Sequence, residues 1–302
     1  MPPPLRILFL AGSARCGSTL VGRMLGELPG MVNAGELGLS LLFADAQAVT
    51  APCGCGQAEA DCAFWTAIGD GRALRDCGRP WRTRHLVRLW WRMRHNPRLR
   101  AEMAAVFVPL YRRVAQQAGA DWVVDISKNP AVGLVLGELP GVELAVLHLV
   151  RDPRGVVASW RTRKAYLPKI RPIKVVRWVW FASLWSEFLA RRAAVRWCFR
   201  YCDVLADPAA MLQAIAARLQ RPAPALEFLR PGAVRFGLQH VLFSNPDKLD
   251  GGWIPLRVQE VQLDRPARWL TNLLTWPLLA RYGYLRPNRS RPAGERTGGD
   301  LP

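Results

Sequence analysis

Acidic side chains are scarce in this chain: 23 Asp and Glu stand against 42 Lys and Arg in 302 residues, a formal net charge of +19. A surplus of that size points to an anionic partner, whether an acidic substrate, a phosphate-bearing ligand, nucleic acid or an anionic bilayer surface. No uncharged apolar run reaches the roughly 18 residues a spanning helix needs, which excludes an obvious transmembrane segment. The first apolar run begins almost at once and leaves no room for a signal peptide, so the expected location is the cytoplasm, with peripheral membrane contact still open. No internal repeat and no clear linker appear, so the simplest organisation is a single α/β domain over residues 1–289 with a disordered tail over 290–302.

The charge is regional. Arg82, Arg84, Arg88, Arg92, Arg94, Arg98 and Arg100 occur with no acid among residues 81–100, and residues 160–178 repeat the pattern with Arg161, Arg163, Lys164, Lys169, Arg171, Lys174 and Arg177. In the first stretch Leu86, Leu89, Trp90 and Met93 fall at helical spacing, which predicts a basic amphipathic helix. Such a helix suits a lipid headgroup layer, or it docks on the core by Trp and Leu and leaves its Arg face in water; the second reading is favoured. Cys53, Cys55 and Cys62 lie close together, with Cys77 further on. A zinc site and a disulfide are both conceivable, but C-x-C is unlike the common C-x₂-C knuckle and a cytoplasmic chain does not favour a disulfide. Unligated thiols, and no metal, are the expectation.

A lysine is also missing where one would be expected. Ile7–Leu10 reads as a buried strand that enters Gly12-Ser13-Ala14-Arg15-Cys16-Gly17-Ser18-Thr19, a G-x-x-x-x-G loop opening into a helix. A nucleotide triphosphatase would carry Lys at position 18. The remaining parts still make a phosphate cradle. Gly12 and Gly17 allow close backbone approach, the helix N-terminus offers free N–H groups, Ser18 and Thr19 add hydroxyls, and Arg15 adds a guanidinium fork.

Further strands are expected at Trp122–Ile126 and Val142–Val150, each followed by a turn and a helical pattern, with Leu5–Leu10 as the first. This alternation predicts a P-loop-type three-layer fold with a central, mainly parallel sheet flanked by helices. A long helix is expected from Val175 to Arg196 with an aromatic core side (Trp178, Phe181, Trp185, Phe188), then a short strand at Phe199–Tyr201 and a helix over Pro208–Leu219 capped by Asp207. The third strand runs into Arg151-Asp152-Pro153-Arg154, and Ser159 follows in the next helix. Ligands of open parallel sheets bind beyond the strands' carboxyl ends, so Arg151 and Ser159 offer a second anion site beside the first, distinct from it.

With both clusters in view the chain resembles the sulfotransferases that use 3′-phosphoadenosine 5′-phosphosulfate (PAPS). Arg15-Cys16-Gly17-Ser18-Thr19 is similar to the family's R-S-G-[ST]-[ST] loop, with Cys in place of Ser, and Arg151 with Ser159 is similar to its 3′-phosphate signature. Gly35-Glu36 resembles the Gly-Glu of the carbohydrate and protein-tyrosine branches, whose glutamate is the proposed base. Asp125-Ile126-Ser127-Lys128-Asn129-Pro130 is similar to a D-K-[ST]-P element. His240 with Ser244-Asn245-Pro246 and Lys248 resembles a C-terminal H…G-N-P-x-R loop, and Cys53 to Trp65 looks like a stretch of bacterial members. The resemblance implies PAPS as co-substrate, held by Arg15, Cys16, Gly17, Ser18, Thr19, Arg151, Ser159 and Lys248. It implies Glu36, Arg15 and Lys128 as the catalytic set, with no metal.

Its acceptor would be a hydroxyl or amine of a carbohydrate, a glycolipid or a small molecule, shaped by residues 38–120 and 161–180, and no nucleic-acid partner is implied. His148, within a buried strand, is expected in the core. A P-loop kinase is the nearest rival, and a basic nucleic-acid or membrane-surface protein the rival of another class; neither gives Arg151 and Ser159 a role. Nothing in the sequence sets the oligomeric state.

Overall fold

The computed structural model describes residues 3–43, 52–69, 85–162, 170–222, 224–242, 244–257 and 262–285. Cys77, the 290–302 tail and the basic residues Arg82, Arg84, Arg163, Lys164 and Lys169 lie outside them. Five strands, β1 (Leu5–Gly12), β2 (Met31–Asn33), β3 (Trp122–Lys128), β4 (Val142–Val150) and β5 (Val195–Arg200), form one sheet in the order β2-β3-β1-β4-β5. All four pairings are parallel, as the alternating pattern predicts. Three short strands, β6 (Leu229–Arg230), β7 (Ala233–Arg235) and β8 (Trp253–Pro255), make a separate antiparallel sheet.

The helices are α1 (Ser18–Gly26), α2 (Leu37–Phe43), α3 (Ala63–Ile68), α4 (Leu86–His95), α5 (Pro97–Ala118), α6 (Pro130–Gly137), α7 (Pro153–Arg161), α8 (Pro172–Arg192), α9 (Tyr201–Ala206), α10 (Pro208–Arg218) and α11 (Arg265–Arg281). They sandwich the sheet because its central strands are apolar on both faces. Ile7, Phe9, Val123 and Val146 pack with α4, α5 and α6, while Leu8, Leu10, Val124 and Leu147 pack with α1 and α10. The period-two alternation of one strand therefore feeds two cores, and the three-layer fold follows.

The expected helix 175–196 is corrected at its C-terminal end. α8 stops at Arg192, and Val195–Arg200 leaves the helix to pair with Ala145–Val150 of β4, so the last sheet edge wins over the helical pattern. The expected strand at Phe199–Tyr201 thereby begins earlier, and Tyr201 opens α9 instead. The aromatic side of α8 packs on the core through Phe181, Trp185 and the buried Leu189, and Trp185 and Phe188 meet Trp90 of α4 edge-on, while Val175, Val176, Val179 and Ala182 bury a second face. α4 docks by Leu86, Leu89, Trp90 and Met93 and turns Arg88, Arg92 and Arg94 outward, the core-docked reading of the basic helix. α10 keeps the expected cap, with Asp207 accepting from the Ala210 N–H at 2.9 Å.

No helix among the described residues is long and apolar enough to cross a membrane. The outer face of α11 does expose Trp269, Leu270, Leu273 and Trp276.

Gly12 closes β1 where it pairs with Leu149, and a Cβ there would lie 2.6 Å from the Leu149 carbonyl oxygen. Gly12→Ala must push β1 away from β4, an overpacking cost of about 1–3 kcal/mol. A fall in unfolding free energy of that size is expected by denaturant titration, and an unchanged midpoint would show that the two strands separate freely there.

Candidate active site

The carboxyl ends of β1, β3 and β4 meet at one cavity of about 1030 Å³, lined by Arg15, Gly17, Ser18, Thr19, Glu36, Lys128, Arg151 and Ser159 among others. Six of the eight expected cofactor residues line it; Cys16 and Lys248 do not. The structure joins the two clusters more closely than expected: Arg15 Nε donates to Ser159 Oγ at 3.1 Å, and Arg151 Nη1 donates to the Arg15 carbonyl at 2.7 Å. The two residue clusters, expected as separate, are thus bonded to each other and line the same cavity.

Backbone geometry marks the same residues. Among the described residues three non-glycine positions have positive φ, and two of them are Arg15 (70°) and Lys128 (64°). Left-handed conformations cost free energy for side chains with a Cβ, and such outliers cluster at functional sites. Gly17 also has positive φ, and a Cβ there would collide with the Tyr201 ring. Tyr201 in turn lies beneath the Arg151 guanidinium, 5.3 Å from ring centroid to Cζ. Sequence reasoning missed Tyr201 because nothing local marks it; its role comes from β5 ending beside the loop.

Cys16, the departure from the family loop, points away from the cavity. Its thiol is buried in the core shared by Leu8, Leu10 and Val21, 3.2 Å from where a Gly12 Cβ would stand, and its N–H bonds the Ser13 carbonyl. Burial pushes the thiol pKa up, so it behaves as a small apolar filler. Neither its side chain nor its N–H is free for a ligand, which corrects its expected place among the cofactor contacts.

Glu36 and Lys128 form an ion pair at the cavity. Burial pushes the Glu36 pKa up, and the Lys128 charge opposes that shift. The pair is positioned by the buried carboxylate of Asp125. That group accepts from the Gly38 N–H at 2.8 Å, the Ser127 N–H at 2.7 Å and the Tyr111 hydroxyl, so the start of α2 is tied to the end of β3. Ser127 Oγ accepts from the Leu39 N–H at 2.9 Å. Gly35, before Glu36, has φ 71°, and a Cβ on it would strike the Leu242 carbonyl.

Residues 237–242 and 244–250 form a strap over α1. Gln239 Nε2 donates to the Arg23 carbonyl at 2.8 Å, Arg23 donates to the carbonyls of Asp247 (3.2 Å) and Asp250 (2.9 Å), and Ser244 Oγ meets Thr19 Oγ1 at 3.1 Å. Lys248 sits on this strap, 3% exposed, its ammonium without a hydrogen-bond partner, and burial pushes its pKa down. It is not among the residues that line the cavity, whereas Asn245, Asp247 and Asp250 of the strap are. His148 is buried as expected; burial depresses its pKa to about 4, so the ring is neutral at physiological pH.

The architecture is that of an α/β protein with a five-stranded parallel sheet between helices and a crevice at its carboxyl edge lined by Arg15, Lys128 and Arg151. Residues 8–225 match the profile of the Sulfotransferase family, and the chain belongs to that family. Two solved structures have a related overall shape. One is the sulfotransferase domain from the curacin biosynthetic pathway (15% identity, 92% of this chain and 98% of that one, TM-score 0.48). The other is sulfotransferase STF9 from Mycobacterium avium (13% identity, 92% of this chain and 77% of that one, TM-score 0.45). No functionally curated protein matches the chain in sequence.

Tyr111→Phe removes one donor from the buried Asp125 carboxylate. A loss of about 1–2 kcal/mol is expected by chemical denaturation, within the usual range for a deleted buried partner. A neutral effect would show that Asp125 is satisfied by the two N–H groups alone.

Proposed function

We propose that the protein transfers the sulfuryl group of PAPS to a hydroxyl acceptor. The observation that carries this reading is Arg15: one of its guanidinium nitrogens, Nη1, is buried with no partner, while Nε holds Ser159. An unpaired cationic donor inside a crevice calls for an anion, since leaving it unmade costs free energy. The loop's remaining donors, Ser18, Thr19 and the first N–H groups of α1, suit the 5′-phosphosulfate end, and Arg151 with Ser159 suits the 3′-phosphate. Trp160, Leu205 and Phe236 supply apolar cavity wall for the base.

Sulfuryl transfer resembles phosphoryl transfer, in which positioning and charge stabilisation supply most of the catalysis. Glu36 takes the proton of the acceptor hydroxyl as the new S–O bond forms. The old bond to the phosphate oxygen breaks, and Lys128 and Arg15 stabilise the charge that collects there; adenosine 3′,5′-bisphosphate leaves. Lys128 has two tasks: its charge opposes the rise that burial imposes on the Glu36 pKa, and it faces the leaving oxygen.

Among carbohydrate, glycolipid and small-molecule acceptors, one feature favours a lipid-linked one. Arg161, at the cavity, bonds Asp264 at 2.9 Å. Asp264 caps α11, the helix whose outer face carries the exposed Trp269 and Trp276. An apolar helix face adjoining a catalytic crevice suits an acceptor presented at a bilayer.

Turnover requires Glu36 ionised, and its pKa is raised. The rate should therefore climb with pH along a limb lying above the ordinary glutamate range, and Lys128→Met, which removes the opposing charge, should move that limb higher still. Glu36→Gln should keep adenosine 3′,5′-bisphosphate binding and lose about 10²–10⁴-fold in turnover, the usual worth of a general base. Assays with sulfur-labelled PAPS would read both, and unchanged turnover in Glu36→Gln would exclude it as the base.

A further inference from the structure

The three clustered cysteines acquire a fourth neighbour that their sequence does not announce. Cys62 Sγ lies 3.7 Å from both Cys53 Sγ and Cys55 Sγ, and the His240 Nδ1 lies 3.2 Å from Cys62 Sγ and 3.9 Å from Cys53 Sγ. All four potential ligand atoms fall within 4.8 Å of one another. In a tetrahedral zinc centre, bonds of about 2.3 Å to sulfur and about 2.0 Å to imidazole nitrogen put sulfurs roughly 3.7 Å apart and nitrogen roughly 3.5 Å from each sulfur. The two sulfur–sulfur separations match that figure, and the two sulfur–nitrogen separations bracket it.

The surroundings hold the four groups in place. Cys53 and Gly56 belong to a tight turn, with Cys53 N–H on the Gln57 carbonyl and Gly56 N–H on the Cys53 carbonyl, each at 2.8 Å. The Phe64 ring stacks on His240 at 4.9 Å and 3°, fixing the imidazole plane, and Trp65 Nε1 donates to the His240 carbonyl at 3.1 Å. Gly54 N–H donates to the Val241 carbonyl at 3.0 Å, bringing the two segments side by side. Support of this kind around a ligand set orients it before a metal arrives.

We propose that Cys53, Cys55, Cys62 and His240 bind one Zn(II) in a closed tetrahedral site that clamps the strap to the segment carrying the cysteines. Three thiols give up their protons on binding, so the centre carries one net negative charge, and the unpartnered ammonium of the buried Lys248 lies close enough to Cys53 and Cys55 to feel their charge. A Cys₃His set with no open position favours zinc held structurally over zinc that activates water. None of the four ligands lines the cavity, and the proposal does not depend on the reading given to that cavity.

The test uses the full chain, prepared with Zn(II) under reducing conditions and freed of excess metal by gel filtration. One zinc per chain is expected by elemental mass spectrometry. Replacement by Co(II) should give the intense visible bands of a tetrahedral centre together with thiolate-to-cobalt charge transfer. Cys55→Ser should weaken Co(II) binding more than about 100-fold, beyond the upper end of the loss of an outer-shell partner, whereas Cys198→Ser should bind as the parent does. Where Cys55→Ser does not fold, the parent's charge-transfer intensity, scaled to three thiolates, decides alone. Chelation should speed amide exchange over 237–250 and leave β1 and β4 protected. Folded protein that retains no zinc, an octahedral cobalt spectrum, or a disulfide among the three cysteines in reductant would overturn the site; unchanged exchange over 237–250 would overturn the clamp.

Discussion

Arg15, Lys128 and Arg151 converge on the carboxyl edge of three adjacent parallel strands, and that convergence is the constraint the rest of the site answers to. Like charges brought together at a partly enclosed edge repel until an anion or a carboxylate offsets them. Glu36 offsets Lys128. Arg151 is spent in part on the Arg15 carbonyl and rests over the Tyr201 ring, and Arg15 is left with a buried donor unmade. The loop could have relaxed by turning these side chains to water. The bonds of Arg15 to Ser159, of Arg151 to the Arg15 carbonyl and of Lys128 to Glu36 hold them inward.

Two supports outside the crevice keep that arrangement. On one side the buried Asp125 carboxylate ties β3 to α2 and so sets Glu36 against Lys128. On the other, the strap crosses α1, touches Thr19 and passes its backbone against Gly35. The strap contributes little regular structure of its own, so side-chain contacts add to the backbone bond from Gly54 to Val241 in fixing its position. Arg23 and Gln239 supply these at α1, and the cluster of Cys53, Cys55, Cys62 and His240 supplies them at the far side. The basic excess of the sequence thus divides into two kinds: a few cations gathered in the crevice, and many, such as Arg88, Arg92 and Arg94 on α4, that face solvent.

Much of this was legible from local pattern. β1 and β4 are mostly apolar, so their burial between two helical layers follows from composition, and the chemistry at their ends follows from the residues beyond the apolar runs, Gly12 and Arg151. The absence of Lys at position 18 carried information because the rest of the loop was intact. What escaped was non-local. The pairing of β5 with β4 ended α8 before its helical pattern did, and Tyr201 became a site residue only through that pairing. Cys16 had no visible reason until its thiol was found in the core. His240 lies far along the chain from the three cysteines, and no spacing rule connects them; the strap's path does. Short strands such as β2 and β6 to β8 have too few residues to show a period.

The central claim is that the crevice is built for a nucleotide bearing a 3′-phosphate. Calorimetric titration of the folded protein with adenosine 3′,5′-bisphosphate, alongside AMP and Mg·ATP, tests it most directly. The account predicts one-to-one binding of the bisphosphate, with AMP weaker by about 1.5–3 kcal/mol, the worth of hydrogen bonds to a charged group, and Mg·ATP weaker still. Equal affinity for AMP and the bisphosphate, or preferential binding of Mg·ATP, would contradict it.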